Sequence, residues 1–368
     1  MTAESDRLDV TPRDHRPHRG TFLTDMTDSQ PTPASRPFAI DVHAHVIVPS
    51  VYAETKPHSL FARAEADPSL SPDQKAAVVA RNDDIARRMA DVSERLAAMD
   101  RTGVAVQVLS ASLVHQCSWF AAPEESLAIE KRNNDAIAEI VKSAPHRFAG
   151  LGGVPLHAPD LAVAELERCV ATLGLKGVQI SSRVRDKEIG DPSLRPFWAK
   201  AEALGAVVYV HPSGNPDPRL APYMMWNSLG QSIEETFAIA SLFYEGVLDA
   251  FPDLRICISH GGGYMPFYTG RVTRNYIEKP ATRRNMTKPP TDYLRMLHYD
   301  SCVYDPRALE ILIETVGADR VLLGSDYPVG DPRPTEFISS AEFLTDAEKS
   351  AILAGNAARL YGITTATT

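Results

Sequence analysis

Eight short, almost uninterrupted apolar runs, each followed by a stretch of helical character, constrain this 368-residue chain more than any other feature. The runs are Phe38–His45, Val104–Leu109, Arg147–Val154, Lys176–Ile180, Ala206–His211, Leu254–His260, Leu297–Cys302 and Arg320–Asp326. A strand with one wet face alternates apolar and polar residues. Strands without that alternation are buried on both faces, as in a parallel sheet covered by helices. Helices are predicted over Pro123–Ser143, Ala158–Leu173, Ser193–Leu204, Ile233–Ala250 and Pro306–Val316, with more to about Tyr361. Eight such strand–helix units in one α/β domain predict a closed (β/α)8 TIM barrel. An open doubly wound sheet is the competing arrangement, but no Gly-x-Gly-x-x-Gly follows an early strand.

The first unit departs from the repeat. After Val46–Pro49 comes an irregular stretch to about Pro72, then a helical region over Pro72–Asp100 with Ile85, Met89, Val92, Leu96 and Met99 at helix spacing. An insertion of this length, residues 49–100, is expected to sit over the barrel mouth as a lid. The barrel domain is expected over 37–362, with 363–368 as a short tail. Residues 1–36 are polar, lack an apolar period and are expected to form a disordered arm in which His15 and His18 are solvated. Met26 is a second candidate start.

Composition narrows the partners. A net charge of -9 argues against nucleic acid, which needs clustered Lys and Arg. No apolar run reaches the roughly 18 residues of a membrane span. No signal-like apolar core opens the chain, so a cytoplasmic protein is expected. Cys117, Cys169, Cys257 and Cys302 are widely spaced and read as buried free thiols.

Chemistry enters at the strand ends, because barrel enzymes build their sites at the C-terminal ends of their strands. His43 and His45 close the first run, and a two-residue spacing on a strand places both on one side. His211 closes the fifth, His260 the sixth and Asp326 the eighth. These five residues therefore converge on one face. Imidazole and carboxylate are ligands for a divalent metal, and a catalytic site keeps one position open. His43, His45, His211 and Asp326 form the expected ligand set. His260 is cast as the acid/base beside the open position. The exchange of roles, with Asp326 as base and His260 as ligand, stays open. Asp41 shares the face of His43 but lies deeper and reads as structural. Lys176 begins the fourth run rather than ending it, which favours one metal over a lysine-bridged pair.

Ile40-Asp41-Val42-His43-Ala44-His45, Val210-His211-Pro212, Ser259-His260-Gly261-Gly262-Gly263 and Leu323-Gly324-Ser325-Asp326-Tyr327-Pro328 carry a resemblance. Together they are similar to the amidohydrolase-related (amidohydrolase 2) decarboxylases, in particular the aminocarboxymuconate-semialdehyde decarboxylase group. The resemblance covers about residues 37 to 362 and includes Asn133-Asn134-Asp135, Arg147 to Gly152 and Gly355-Asn356-Ala357. It implies one divalent metal ion, Zn2+ first and Mn2+ as the alternative, in a barrel that forms a homodimer. It implies the same four ligands and gives His260 the bond to the metal-bound water. Arg271 matches an arginine that reaches a substrate carboxylate in the neighbouring subunit. A second carboxylate-binding arginine falls in the insertion, where Arg87 and Arg88 are the candidates. Where the group has an aromatic residue after the fifth strand, this chain has Met224, with Trp226 close by.

The expected activity is a metal-dependent, non-oxidative decarboxylation of an unsaturated or aromatic carboxylic acid, a small-molecule substrate, with no membrane partner. A metal-dependent hydrolase or hydratase on the same barrel is the alternative, since fold does not determine reaction. A non-catalytic scaffold is the third reading, and the presence of all five candidates weighs against it.

Overall fold

The computed structural model describes residues 38–112 and 118–364. The N-terminal arm, with His15 and His18, lies outside these residues, as do Cys117 and the tail from 365 onwards. Eight parallel strands follow one another in chain order: β1 (Ile40–Val46), β2 (Val106–Ala111), β3 (Phe148–Gly153), β4 (Gly177–Ser181), β5 (Val207–His211), β6 (Arg255–Ile258), β7 (His298–Asp300) and β8 (Val321–Leu322). The seam closes between the last strand and the first. Val42 N–H donates to Leu323 O at 2.9 Å, His45 N–H to Tyr327 O at 3.0 Å and Tyr327 N–H to His43 O at 3.2 Å. The fold is a TIM barrel, as the uninterrupted apolar runs predict.

Helices wrap the outside where the periodicity places them. Pro123–Ser143 and Pro306–Val316 both begin on proline, and Asp305 caps the second by accepting from the N–H groups of Arg307 and Ala308. Phe197, Trp198, Leu242 and Phe243 carry the packing between strands and helices and are fully buried. At the seam, Ile40 and Val42 pack in one cluster with Ala357, Leu360 and Tyr361 of the C-terminal helix.

The insertion is more ordered than its sequence indicates. The stretch expected to be irregular contains helices Pro49–Thr55 and Leu60–Glu65. The helical region expected over Pro72–Asp100 is two helices, Pro72–Ala90 and Val92–Thr102. Asp91 makes the break: its backbone is extended (φ -89°, ψ 103°), and its carboxylate caps the second helix by accepting from Glu94 N–H. The apolar spacing runs through Asp91 unbroken, so only the capping chemistry marks the corner. The eighth strand is also shorter than its apolar run, which leaves Asp326 on the loop beyond it.

Candidate metal centre and active-site cavity

Four side chains meet at the C-terminal mouth of the barrel. One ligand atom from each of His43, His45, His211 and Asp326 lies within 4.8 Å of the other three. Nε2 of His43 and Nε2 of His45 are 3.2 Å apart, and Asp326 Oδ1 lies 3.2 Å from the first and 3.0 Å from the second. β1 supplies the histidine pair, β5 ends on His211, and the loop after β8 supplies Asp326. Asp326 and His260 both sit beyond their strands at positive φ, 56° and 48°. Non-glycine residues seldom adopt that conformation, and it persists here because surrounding contacts hold it.

Those contacts are extensive. Nδ1 of His43 is 2.7 Å from Asp300 Oδ2, which also accepts from Tyr209 O–H at 2.7 Å. Nδ1 of His211 donates to Pro212 O at 2.8 Å. Each bond places the proton on Nδ1 and leaves an Nε2 lone pair facing the cluster. Asp41 clamps the seam below: it accepts from His43 N–H (3.1 Å), Ser325 N–H (2.9 Å), Ser325 O–H (2.5 Å) and Gln107 Nε2 (2.9 Å). Nδ1 of His45 is buried and has no hydrogen-bond partner among the described residues.

The donor set fits a divalent cation. Lone pairs of two imidazoles 3.2 Å apart repel unless a cation or a proton lies between them. Burial holds His211 well below its ordinary pKa, reinforced by the neighbouring histidines, and burial also lowers His45. At His43 burial favours the neutral ring, but the carboxylates of Asp326 and Asp300 outweigh it and lift the pKa to about 9. Asp326 stays well below the carboxylate range: burial opposes its charge, and the His43 charge with bonds from three histidines overcomes that. Asp326 is therefore anionic and His45 and His211 neutral, as metal ligation requires, and the proton that its carboxylate neighbours favour on His43 is the one a bound cation would displace.

His260 stands beside the cluster. Its Nε2 is 3.8 Å from Asp326 Oδ2, and its Nδ1 is 2.6 Å from Oε1 of the buried Glu235. Burial works against its charge, yet Glu235 and Asp326 hold its pKa well above the ordinary value. Tyr304 O–H donates to Asp326 Oδ2 at 3.3 Å.

Above lies a cavity of about 670 Å³, with His45, His211, His260 and Asp326 on its floor. Its roof joins the insertion (Phe61, Arg81, Ile85) to the loop after β5 (Met224, Trp226). The two roof segments are tied together: Met224 N–H donates to Asp67 at 2.9 Å, and the Arg63 guanidinium lies 5.5 Å from the Trp226 ring centre. Met224 and Trp226 therefore face the cavity. Arg88 does not line it; its guanidinium lies 5.6 Å from the Tyr327 ring centre. Arg271 is exposed on helix Thr269–Glu278 and does not line the cavity either. Arg81 is the one arginine among the described lining residues.

Sequence reasoning assigned no site role to Glu235, Arg81, Arg95 or Asp300. Asp300 ends β7 as His211 ends β5, so its strand-end position was a usable signal. For Glu235 the signal is weaker: two adjacent glutamates open a helix whose later residues Ala238, Ile239, Leu242 and Phe243 are fully buried.

Comparison with known proteins identifies relatives of this chain. Residues 40–363 match the amidohydrolase family. The chain is 35% identical over 278 residues to a 2-amino-3-carboxymuconate-6-semialdehyde decarboxylase of Dictyostelium discoideum, covering 74% of this chain and 77% of that one. It is 28% identical over 299 residues to a gamma-resorcylate decarboxylase of Rhizobium radiobacter, covering 76% and 89%. Among solved structures, 5-carboxyvanillate decarboxylase from Sphingomonas paucimobilis superposes with a TM-score of 0.78 at 28% identity, covering 89% of this chain and 100% of that one. With its family match spanning nearly the whole barrel and its donors at the strand ends, the chain belongs to the amidohydrolase family.

Proposed function

We propose that this protein is a metal-dependent, non-oxidative decarboxylase of an unsaturated or aromatic carboxylic acid. The observation that carries the reading is the four-donor cluster with a charged histidine beside it, on the floor of one cavity. Decarboxylation by the relatives supports it. His43, His45, His211 and Asp326 would hold one divalent cation, zinc first and manganese as the alternative. Bound there, the cation supplies Lewis-acid polarisation of a substrate oxygen.

The chain's own residues do the rest. His260, kept protonated by Glu235, delivers a proton from Nε2 to the carbon that bears the carboxylate. The bond to the carboxylate carbon then breaks, its electron pair restores the conjugated system, and neutral carbon dioxide leaves. Solvent returns the proton to His260, so no oxidant is required. Asp326 is within 3.8 Å of the same nitrogen and orients it. Trp226 and Met224 pack on the planar substrate, and Arg81 pairs with a substrate carboxylate at the roof. Arg271, exposed on its helix, reaches the cavity of a partner subunit in a homodimer. The described cysteines Cys169, Cys257 and Cys302 are buried free thiols, which suits a reducing cytoplasm. No helix among the described residues is long and apolar enough to cross a membrane.

The test is product mass. Metal-loaded protein is incubated without oxygen with a panel of hydroxybenzoic and muconic-type acids. Loss of carbon dioxide from one of them is the expected result. A gain of water across the whole panel would replace this reading with hydrolysis or hydration.

A further inference from the structure

The insertion reaches the metal donors through one buried cation. Arg95 lies on helix Val92–Thr102 and is 1% exposed. Its guanidinium donates to His45 O, to Met89 O at 3.2 Å and to Gln107 Oε1 at 3.2 Å. Its central carbon is 4.6 Å from the centre of the Tyr327 ring. Tyr327 directly follows Asp326, and its main chain pairs with that of His43 and His45. Gln107 continues the path by donating to Asp41, which accepts in turn from the N–H groups of His43 and Ser325. One side chain thus touches the main chain of one donor and the neighbour of another, two donors that stand 281 positions apart in the sequence.

We propose that Arg95 is a positioning residue for the metal centre: through His45 O and the Tyr327 ring it sets the approach of His45 to Asp326. It does so with the planar fork of the guanidinium rather than with its charge. A lysine ammonium is a point donor and cannot serve two carbonyls and an amide while lying flat on a ring. The inference rests on the metal-site reading above and extends it to a residue that lies outside the donor cluster.

The experiment uses the full chain as wild type, Arg95→Lys, Arg95→Met and Tyr327→Leu. Each is stripped with a chelator and titrated with zinc against a chelating dye. Melting temperature is read with and without zinc. Zinc affinity is expected to fall about 10–100-fold in both Arg95 variants, the range typical of groups that orient ligands. The rise in melting temperature on adding zinc should shrink accordingly, and Tyr327→Leu should move the same way. Equal melting losses with and without zinc, at unchanged zinc affinity, would overturn the proposal and leave Arg95 a packing residue. Tighter zinc binding in Arg95→Met with none lost in Arg95→Lys would also overturn it, because charge would then be the operative property. Wild-type protein that binds no zinc or manganese would overturn the metal-site reading and this inference with it. Should Arg95→Met fail to fold, Arg95→Lys and Tyr327→Leu decide the outcome.

Discussion

Oε1 of Glu235 lies 2.6 Å from Nδ1 of His260 and accepts a second bond from Ser259 O–H at 2.5 Å. The glutamate comes from helix Gln231–Tyr244 between β5 and β6, and the histidine from the turn after β6. A buried carboxylate so placed keeps the imidazole charged and aims its other nitrogen at the cavity.

Replacing Glu235 by Gln should therefore lower turnover by about 10–100-fold while metal content stays at the wild-type level. The sign of the pH effect follows from the pair. Glu235 raises the pKa of His260, so its loss lets that pKa fall, and the pH above which activity disappears should move down. A pH–rate profile with metal analysis checks both statements. An unchanged profile would remove Glu235 from the proton path.

His211 and His260 should separate under mutation, although their ring centres are 5.2 Å apart. His211→Ala is expected to lose metal and activity together. His260→Ala should retain metal and lose roughly 10²–10⁴ of its turnover, the usual contribution of an acid/base group. Elemental analysis beside the kinetics distinguishes the roles, and equal metal loss in both variants would make His260 a ligand.

Asp300 orients His43 from behind the donor cluster, and Tyr209 O–H steadies the same oxygen. Asp300→Asn removes the anionic acceptor and should weaken metal binding about 10–100-fold. Chelator competition measures it. An unchanged metal affinity would show that the His43 ring is held by packing alone.

His298, at the start of β7, gives a stability prediction. Burial, with help from the Arg320 charge, depresses its pKa to about 4 from an ordinary 6.5. The folded protein therefore holds the ring neutral, whereas the unfolded chain takes up a proton below about pH 6.5. The stability this ring contributes is complete above that pH and is lost as pH falls towards 4. Between pH 7.5 and 5 the loss should be about 2 kcal/mol. Urea midpoints at the two pH values should differ more in wild type than in His298→Gln, and identical pH slopes would contradict the assignment.

The barrel was legible because two-sided burial is written into each strand separately. Ala206–His211 and Leu254–His260 read as buried parallel strands without reference to any other segment, and β5 and β6 occupy those runs. The corner at Asp91 was illegible for the opposite reason. Ile85, Met89, Val92 and Leu96 keep one helical period across it, and only the capping bond that Asp91 accepts from Glu94 N–H turns the chain. Arg88 and Arg271 show the same limit from another side. Both are flexible cations whose reach depends on what packs around them, and Arg88 lies against the Tyr327 ring rather than in the cavity.

By itself the sequence determined the barrel and brought His43, His45, His211, His260 and Asp326 to one end of it, because a residue at or just beyond a strand's C-terminal end reaches the common face by local geometry; it left open which of Asp326 and His260 joins the three histidines. Only the tertiary structure decided which distant group stands behind these side chains: Asp300 behind His43, Glu235 behind His260 and Arg95 against His45. Those pairings depend on strand register and on how helices settle against the sheet. Neither is encoded in the neighbourhood of any one residue.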